Sequence, residues 1–227
     1  MSENILKLVT LPDIFTIVNA LLGLIAIFMA VNNDIIGSQI LILIAVMVDG
    51  LDGIVARKIE HGVLGSDLDS FADLISFGVA PVALIYSISP KSYSIHLITA
   101  FSSAYLVCGM LRLARYNVAS SGERFVGIPI TAGGLFLATF MIAQPFLGID
   151  FIFISVLLGA LSVLMVSRIK YPRIESRAAS VLIGSLILII VILYYLGFVY
   201  YIHIAAVLFL LLILYLVSPL ILKSGSL

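Results

Sequence analysis

The chain is poor in charge, in cysteine and in tryptophan. Only 11% of its 227 residues are Asp, Glu, Lys or Arg, Cys108 is the single cysteine, and tryptophan is absent. One cysteine excludes a disulfide framework or a metal–thiolate cluster within the chain. A formal net charge of zero gives no reason to expect a nucleic-acid partner.

Apolar residues make up most of the chain, 63% of it, with a mean hydropathy of +1.27. A soluble domain of this size carries far fewer. Runs long enough to cross a bilayer as helices lie at Ile14–Val31, Ile36–Arg57, Ser66–Ile88, Tyr93–Asn117, Pro129–Phe146, Phe151–Ser167, Ala178–Leu196 and Val199–Pro219. The sequence therefore predicts an all-α integral membrane protein, a bundle of about eight transmembrane helices in one membrane domain over residues 1–227. No secretory signal peptide is expected at the N-terminus.

The basic residues predict the orientation of this bundle. With the N-terminus inside, eleven of the twelve Lys and Arg residues lie at inner ends or loops, and only Lys91 lies outside. We therefore expect both termini to be cytoplasmic and the protein to lie in the cell membrane.

Acidic residues are concentrated in one stretch. Five of the twelve acidic residues are aspartates between positions 49 and 73, a stretch flanked by apolar runs: Asp49, Asp52, Asp67, Asp69 and Asp73. A carboxylate inside an apolar helix costs about 2.5–3.5 kcal/mol on insertion scales and by default marks function.

The spacing of these aspartates predicts that four of them meet. Asp49 and Asp52 share one helix face, Asp69 and Asp73 share a face of the next helix, and a short charged turn joins the two. In such an antiparallel hairpin Asp49 is level with Asp73 and Asp52 with Asp69, whereas Asp67 points off this face. With residue 57 at the inner interface, the site lies about 8–12 Å deep, near headgroup level rather than at the midplane.

Four converging carboxylates cannot all stay ionised without cations. Oxygen ligands suit hard ions, so two Mg²⁺ or Mn²⁺ ions are favoured over zinc. Two other interpretations are a polar contact between helices with some acids protonated, and the ion site of a divalent-cation transporter. A transporter's carboxylates are expected near the midplane, and no inverted repeat is visible.

The pattern Asp49-x2-Asp52-Gly53-x2-Ala56-Arg57-x7-Gly65-x3-Asp69-x3-Asp73 resembles the signature of the CDP-alcohol phosphotransferase family. The gap between the Arg and the second Gly is seven residues instead of the usual eight. Further stretches, Asp69–Pro81, Gly109–Asn117 and Phe125–Pro129, resemble the phosphatidylserine synthase branch. The resemblance covers about residues 11–135, so we expect a catalytic core there and a helical remainder over 136–227.

This resemblance implies the transfer of a phosphatidyl group from a CDP-linked lipid to L-serine, with release of CMP. It assigns metal binding to Asp49, Asp52, Asp69 and Asp73, and the role of base to Asp73. It also implies a homodimer. Two alternatives remain, another acceptor such as glycerol phosphate or inositol phosphate, and a structural membrane protein, which would leave the aspartates unexplained.

Two further groups of residues are candidates for substrate binding. Those for the CDP-lipid are Thr16, Asn19, Gly53, Ala56, Arg57, Gly62, Gly65 and Ser66. Each also has a structural interpretation: backbone bonding or helix linking for Thr16 and Asn19, close packing or turn geometry for the small residues, topology for the Arg, and N-capping for Ser66. The candidates for serine are Arg112, Arg115 and Asn117. An Arg fork suits a carboxylate, although a snorkelling pair at the interface is the alternative.

Overall fold

The computed structural model describes residues 5, 8–56, 64–89, 95–118, 126–148, 152–171 and 177–224, without the side chains of residues 52–56, 152, 177–178 and 220–224. The elements in chain order are α1 (Leu11–Val31), α2 (Ile35–Ala56), α3 (Gly65–Asp73), a π-helical turn (Leu74–Val79), α4 (Ala80–Ile88), α5 (Ile95–Val118), α6 (Ile130–Leu147), α7 (Ile152–Val166), α8 (Arg177–Tyr195) and α9 (Tyr201–Ser224). Because α3, the π turn and α4 are continuous, the described residues form eight helical rods, the number of runs that the sequence predicts.

Five of these rods are long and apolar enough to cross a membrane. They are Leu11–Val31, Gly65–Ile88, Ile95–Val118, Ile130–Leu147 and Tyr201–Pro219, and three shorter apolar helices accompany them. The protein is therefore all-helical over its described residues, with several candidate membrane spans.

The first two helices form the antiparallel pair on which the site is built. At the start of α1, the backbone N–H and the hydroxyl of Thr10 both donate to Oδ2 of Asp13, at 2.6 and 2.8 Å. This contact satisfies a helix terminus that would otherwise have unpaired groups. A short turn with Asn33 in the left-handed region (φ 63°) then reverses the chain into α2. The buried side of α1 packs against α2 and against the rod formed by α3 and α4.

The core is centred on α6, which contacts α2, α9 and the π turn. Phe136 and Phe140 of α6 pack against Phe209 of α9, with ring centroids 4.9 and 5.3 Å apart. Gly133-Gly134 and Pro145 are residues that can interrupt a helix, but α6 is continuous through both. The two glycines are buried where neighbouring helices approach closely, and the proline lies in the last turn, after which Gly148 (φ 61°) ends the helix.

Candidate metal and active site

Helices α2 and α3 bring three of the predicted aspartates together. One carboxylate oxygen from each of Asp49, Asp69 and Asp73 lies within 4.8 Å of the others. Asp73 is buried, with 6% of its surface exposed, and the other two are partly exposed. The predicted convergence of the hairpin is thus seen for these three residues. Asp52 lies in α2, but its side chain is outside the described residues, and its place in the group stays a prediction.

Asp67 lies away from this group, on the exposed side of α3. It precedes Asp69 by only two residues, and side chains two apart on a helix point in different directions. Asp67 therefore lies off the face that carries the other acids, as its spacing predicts.

The two carboxylate oxygens of Asp73 differ in their hydrogen bonding. Oδ2 accepts a long hydrogen bond, 3.5 Å, from the hydroxyl of Thr131 in the first turn of α6. Oδ1 is buried, and no donor among the described residues reaches it. A buried oxygen without a partner is costly, so Oδ1 is an available ligand atom.

These atoms fit a divalent metal site. The donors are all carboxylate oxygens, one position is a buried oxygen that lacks a donor, and the three charges lie close together. Hard cations such as Mg²⁺ and Mn²⁺ prefer this set of ligands and would offset the repulsion between the carboxylates. The residues present therefore fit Mg²⁺ or Mn²⁺, the cations that the carboxylate pattern predicts.

Arg112 places a positive charge beside this cluster. Its side chain is buried, with 8% exposed, and its guanidinium lies over the ring of Tyr116, 5.2 Å from the centroid. Its charge also interacts with that of Asp73. A buried guanidinium next to the carboxylates can bind an anionic group of a substrate through its planar fork.

Arg115, one turn further along α5, makes a different set of contacts. Its guanidinium donates to the backbone carbonyls of Val126, Met165 (3.0 Å) and Ser167 (3.3 Å). These bonds join the end of α5 to the segment before α6 and to the end of α7. The third candidate, Asn117, is exposed and donates to the hydroxyl of Ser70 in α3, at 2.9 Å, beside Asp69.

The candidates on α1 are buried and face the same part of the bundle. The hydroxyl of Thr16 donates to the carbonyl of Pro12 at 3.4 Å, which is the backbone bond that its structural interpretation predicts. The backbone carbonyl of Asn19 accepts a hydrogen bond from the hydroxyl of Ser76 at 2.7 Å, while Oδ1 of Asn19 is buried without a donor among the described residues. Asn19 therefore holds a buried side-chain acceptor whose hydrogen bond is not accounted for by the described residues.

The remaining candidates lie in sequence between the end of α2 and the start of α3. Gly65 is buried at the first position of α3 and Ser66 is exposed; the N-cap is Leu64, so Ser66 is not the cap. Gly53 and Ala56 lie in α2, at positions where side chains are not described. Arg57 and Gly62 fall outside the described residues.

Sequence reasoning missed Thr131. The chain shows a proline two residues before it, at a helix start, but no local signal says that this helix passes Asp73. The contact joins residues 58 positions apart, and only the packing of α6 against the π turn brings them together.

Comparisons with known proteins agree with the signature. The family model for CDP-alcohol phosphatidyltransferase matches residues 9–169. The chain is 37% identical over 183 residues to an archaetidylserine synthase of Methanothermobacter thermautotrophicus, covering 78% of this chain and 76% of that protein. It is 36% identical over 176 residues to a CDP-diacylglycerol–serine O-phosphatidyltransferase of Bacillus subtilis, covering 74% and 93%. A protein of the same name from Methanocaldococcus jannaschii is 34% identical over 175 residues, with 77% and 79% covered.

Proposed function

Because the chain belongs to the CDP-alcohol phosphatidyltransferase family, we propose that it transfers a phosphatidyl group from a CDP-linked lipid to L-serine and releases CMP. The relatives named above act, by their names, on serine, and one of them makes an archaeal lipid. The lipid donor is therefore CDP-diacylglycerol or an archaeal CDP-lipid. The matched family consists of transferases, so nothing supports the alternative that the aspartates form the ion site of a cation transporter.

The observation that carries this proposal is the carboxylate group of Asp49, Asp69 and Asp73. These residues, with Asp52, would hold two divalent cations. When bound, such ions neutralise negative charge on a diphosphate and on its leaving group. The chain's own task is to hold the carboxylates in place and to bind and orient the two substrates.

The proposed reaction is a single displacement at phosphorus. The hydroxyl oxygen of serine attacks the phosphorus that carries the lipid, a new P–O bond forms, and the P–O bond to CMP breaks. Asp73 takes the proton of the serine hydroxyl as general base. The hydroxyl of Thr131 donates to Oδ2 of Asp73, whereas Oδ1 has no donor among the described residues. An oxygen without a donor can accept a proton, which supports this role.

Arg112 is the better candidate for the serine carboxylate. It is buried, interacts with Asp73 and donates to none of the carbonyls that Arg115 binds. Arg115 has fewer N–H groups left for a substrate, since its guanidinium already serves three carbonyls. Asn117 lies at the edge of the same region and contributes a side-chain amide.

The CDP-lipid is proposed to lie between α1 and the hairpin. Thr16 and Asn19 line the buried face of α1. The other candidates lie in sequence from the end of α2 to the start of α3: Gly53, Ala56, Arg57, Gly62, Gly65 and Ser66. The free Oδ1 of Asn19 is an acceptor for an N–H or O–H of the nucleotide. Small residues on α2 would leave space for a flat base and a ribose.

We further propose that the chain forms eight transmembrane helices in one domain, with both termini and the active site facing the cytoplasm of a cell membrane. The positions of the basic residues support this orientation. A homodimer is proposed from the family alone.

The test is the release of CMP by the detergent-purified protein. The chain is incubated with Mn²⁺ and either CDP-diacylglycerol or its ether-linked archaeal counterpart, and serine, glycerol phosphate and inositol phosphate are compared as acceptors. We expect CMP release with serine that a chelator abolishes. Release with another acceptor but not with serine would reassign the substrate, and full activity with chelator present would contradict the metal site.

A further inference from the structure

The π turn directly after Asp73 has a cause in the sequence. Pro81 has no N–H, and in an α-helix its ring would collide with the carbonyl four residues earlier, which is that of Phe77. The helix widens instead: the N–H of Ala80 bonds to the carbonyl of Ile75, five residues back, within the π turn Leu74–Val79. Single π turns of this kind are frequent at functional sites.

The carbonyl that Pro81 cannot serve is bound by another helix. The hydroxyl of Tyr105 in α5 donates to the carbonyl of Phe77 at 2.9 Å, and both side chains are fully buried, with 0% exposed. A buried carbonyl left unpaired costs more than a typical hydrogen bond contributes. This one bond therefore stabilises the widened turn from outside.

Helix α6 closes over the same bond. A Cβ atom added to Gly133 would lie 2.8 Å from the hydroxyl oxygen of Tyr105, and one added to Gly134 would lie 2.8 Å from Cβ of Phe77. Both distances are too short for any side chain, so the backbone of α6 lies directly against the bond. One turn earlier, the same helix presents Thr131 to Asp73.

Asp73 is thus held at one end of a tied segment. It is the last residue of α3, the π turn begins at the next residue, and Phe77 lies one turn further, facing inward as Asp73 does. If the turn closed to an ordinary α-helix, the rotation of Asp73 relative to α4 would change, because a π turn contains more residues than an α turn.

We propose that Tyr105 is a positioning residue, which fixes the π turn through the Phe77 carbonyl and thereby aims the Asp73 carboxylate at Asp49 and Asp69. The inference rests on the proposed function in one respect, that Asp73 is a metal ligand. It adds a residue of α5 that lies outside the aspartate signature and does not touch the substrates.

The experiment measures Mn²⁺ binding by electron paramagnetic resonance, without substrate, on the detergent-purified full chain. Tyr105→Phe removes only the hydroxyl, and Pro81→Ala restores an N–H so that the Phe77 carbonyl can accept an α-helical bond. We expect both variants to bind Mn²⁺ about tenfold more weakly, the lower end of the effect of outer-shell partners of metal sites. Tyr86→Phe is the matched control, because Tyr86 lies on α4 with 55% of its surface exposed.

Pro81→Ala separates positioning from stability. Alanine is the best helix former and proline the worst, so a purely structural role of the turn predicts unchanged or higher thermal stability with unchanged Mn²⁺ affinity. That result would overturn the proposal, even if Tyr105→Phe failed to fold. Weaker Mn²⁺ binding by Pro81→Ala at undiminished stability supports it. A wild type that binds no Mn²⁺ would instead contradict the proposed metal site, and this inference with it.

Discussion

Asp49, Asp69 and Asp73 each bring one carboxylate oxygen to the same small volume. Replacing any of them by Asn keeps the shape but removes a charged ligand, so we expect kcat to fall by more than about 100-fold, beyond the effect of losing an outer-shell partner. CMP release at saturating Mn²⁺ measures it. Asp67→Asn is the matched control, since this residue lies two positions from Asp69 on the exposed side of α3, and we expect it to remain within about twofold of wild type.

An equal loss of activity in Asp67→Asn would contradict the assignment of the metal ligands by helix face. Thermal unfolding of each variant shows whether a loss comes from the site or from the fold. Removing charge from a repelling cluster is expected to leave the melting temperature unchanged or to raise it.

The two arginines of α5 are expected to respond differently to lysine. Arg112→Lys replaces a bidentate fork by a point charge next to the site, and we expect KM for serine to rise about tenfold, the equivalent of about 1.4 kcal/mol, with KM for the CDP-lipid little changed. Arg115→Lys should mainly lower the melting temperature, because three carbonyls lose their guanidinium partner. The opposite pattern would move the acceptor site to Arg115.

For individual residues, the sequence predicts which side chains meet when they are close together along the chain. Asp49, Asp69 and Asp73 could be paired because a helical hairpin relates positions by counting from its turn. Thr131 and Tyr105 could not be found in this way, because their partners lie 58 and 28 residues away. The different contacts of Arg112 and Arg115 could not be predicted either, since the carbonyls that bind Arg115 belong to other elements.

At the scale of elements, the segment before α6 packs closely against the end of α7 at Gly127. Gly127 has φ 79°, and a Cβ atom there would lie 2.3 Å from the carbonyl oxygen of Met165 and 2.6 Å from the guanidinium of Arg115. Its N–H donates to the carbonyl of Ile169 at 2.8 Å, next to the bridge between Val126 and Lys170. This segment leads directly into the turn of α6 that carries Thr131.

Gly127→Ala is therefore expected to lower the melting temperature more than Gly148→Ala. Both glycines lie in the left-handed region, where a Cβ costs about 1–2 kcal/mol. At Gly148, however, no atom of the described residues lies within 4 Å of an added Cβ. The difference between the two variants in thermal unfolding isolates the collision with Met165 and Arg115. Equal shifts would mean that the chain relieves this contact by a small movement.

Helix positions were predictable from apolar runs, and the π turn was not. Long hydrophobic segments identify membrane spans because the bilayer core stabilises an apolar helix whatever its packing partners are. The turn at Leu74–Val79 depends on Pro81 and on a hydroxyl from α5 that satisfies the released carbonyl. Pro81 was a visible signal, but a proline in a helix can also produce a kink or a break.

For the whole molecule, the positions of the twelve Lys and Arg residues predict the topology. A reporter fused after Leu227 should be cytoplasmic, and one inserted near Lys91 should be external. An external signal at the C-terminus would contradict the predicted topology.

The path of the reaction, covalent or direct, depends on which nucleophiles the chain as a whole offers. A covalent route needs a nucleophile with an activating base beside it. Among the described residues, Cys108 is half-buried in α5 among apolar neighbours, and His96 and His203 belong to helices other than the two that bring the aspartates together. His61 lies outside the described residues.

A direct attack by serine needs positioning, neutralisation of charge and one base, which the proposed site supplies through its carboxylates and Arg112. An aspartate that binds metal is a weak nucleophile, because the cation withdraws its charge. We therefore expect a single in-line displacement with inversion at phosphorus, measured with a CDP-lipid that is chirally labelled at the transferred phosphorus. Retention of configuration, or exchange of labelled CMP into the CDP-lipid without serine, would instead establish a covalent intermediate and require a nucleophile that the described helices do not present.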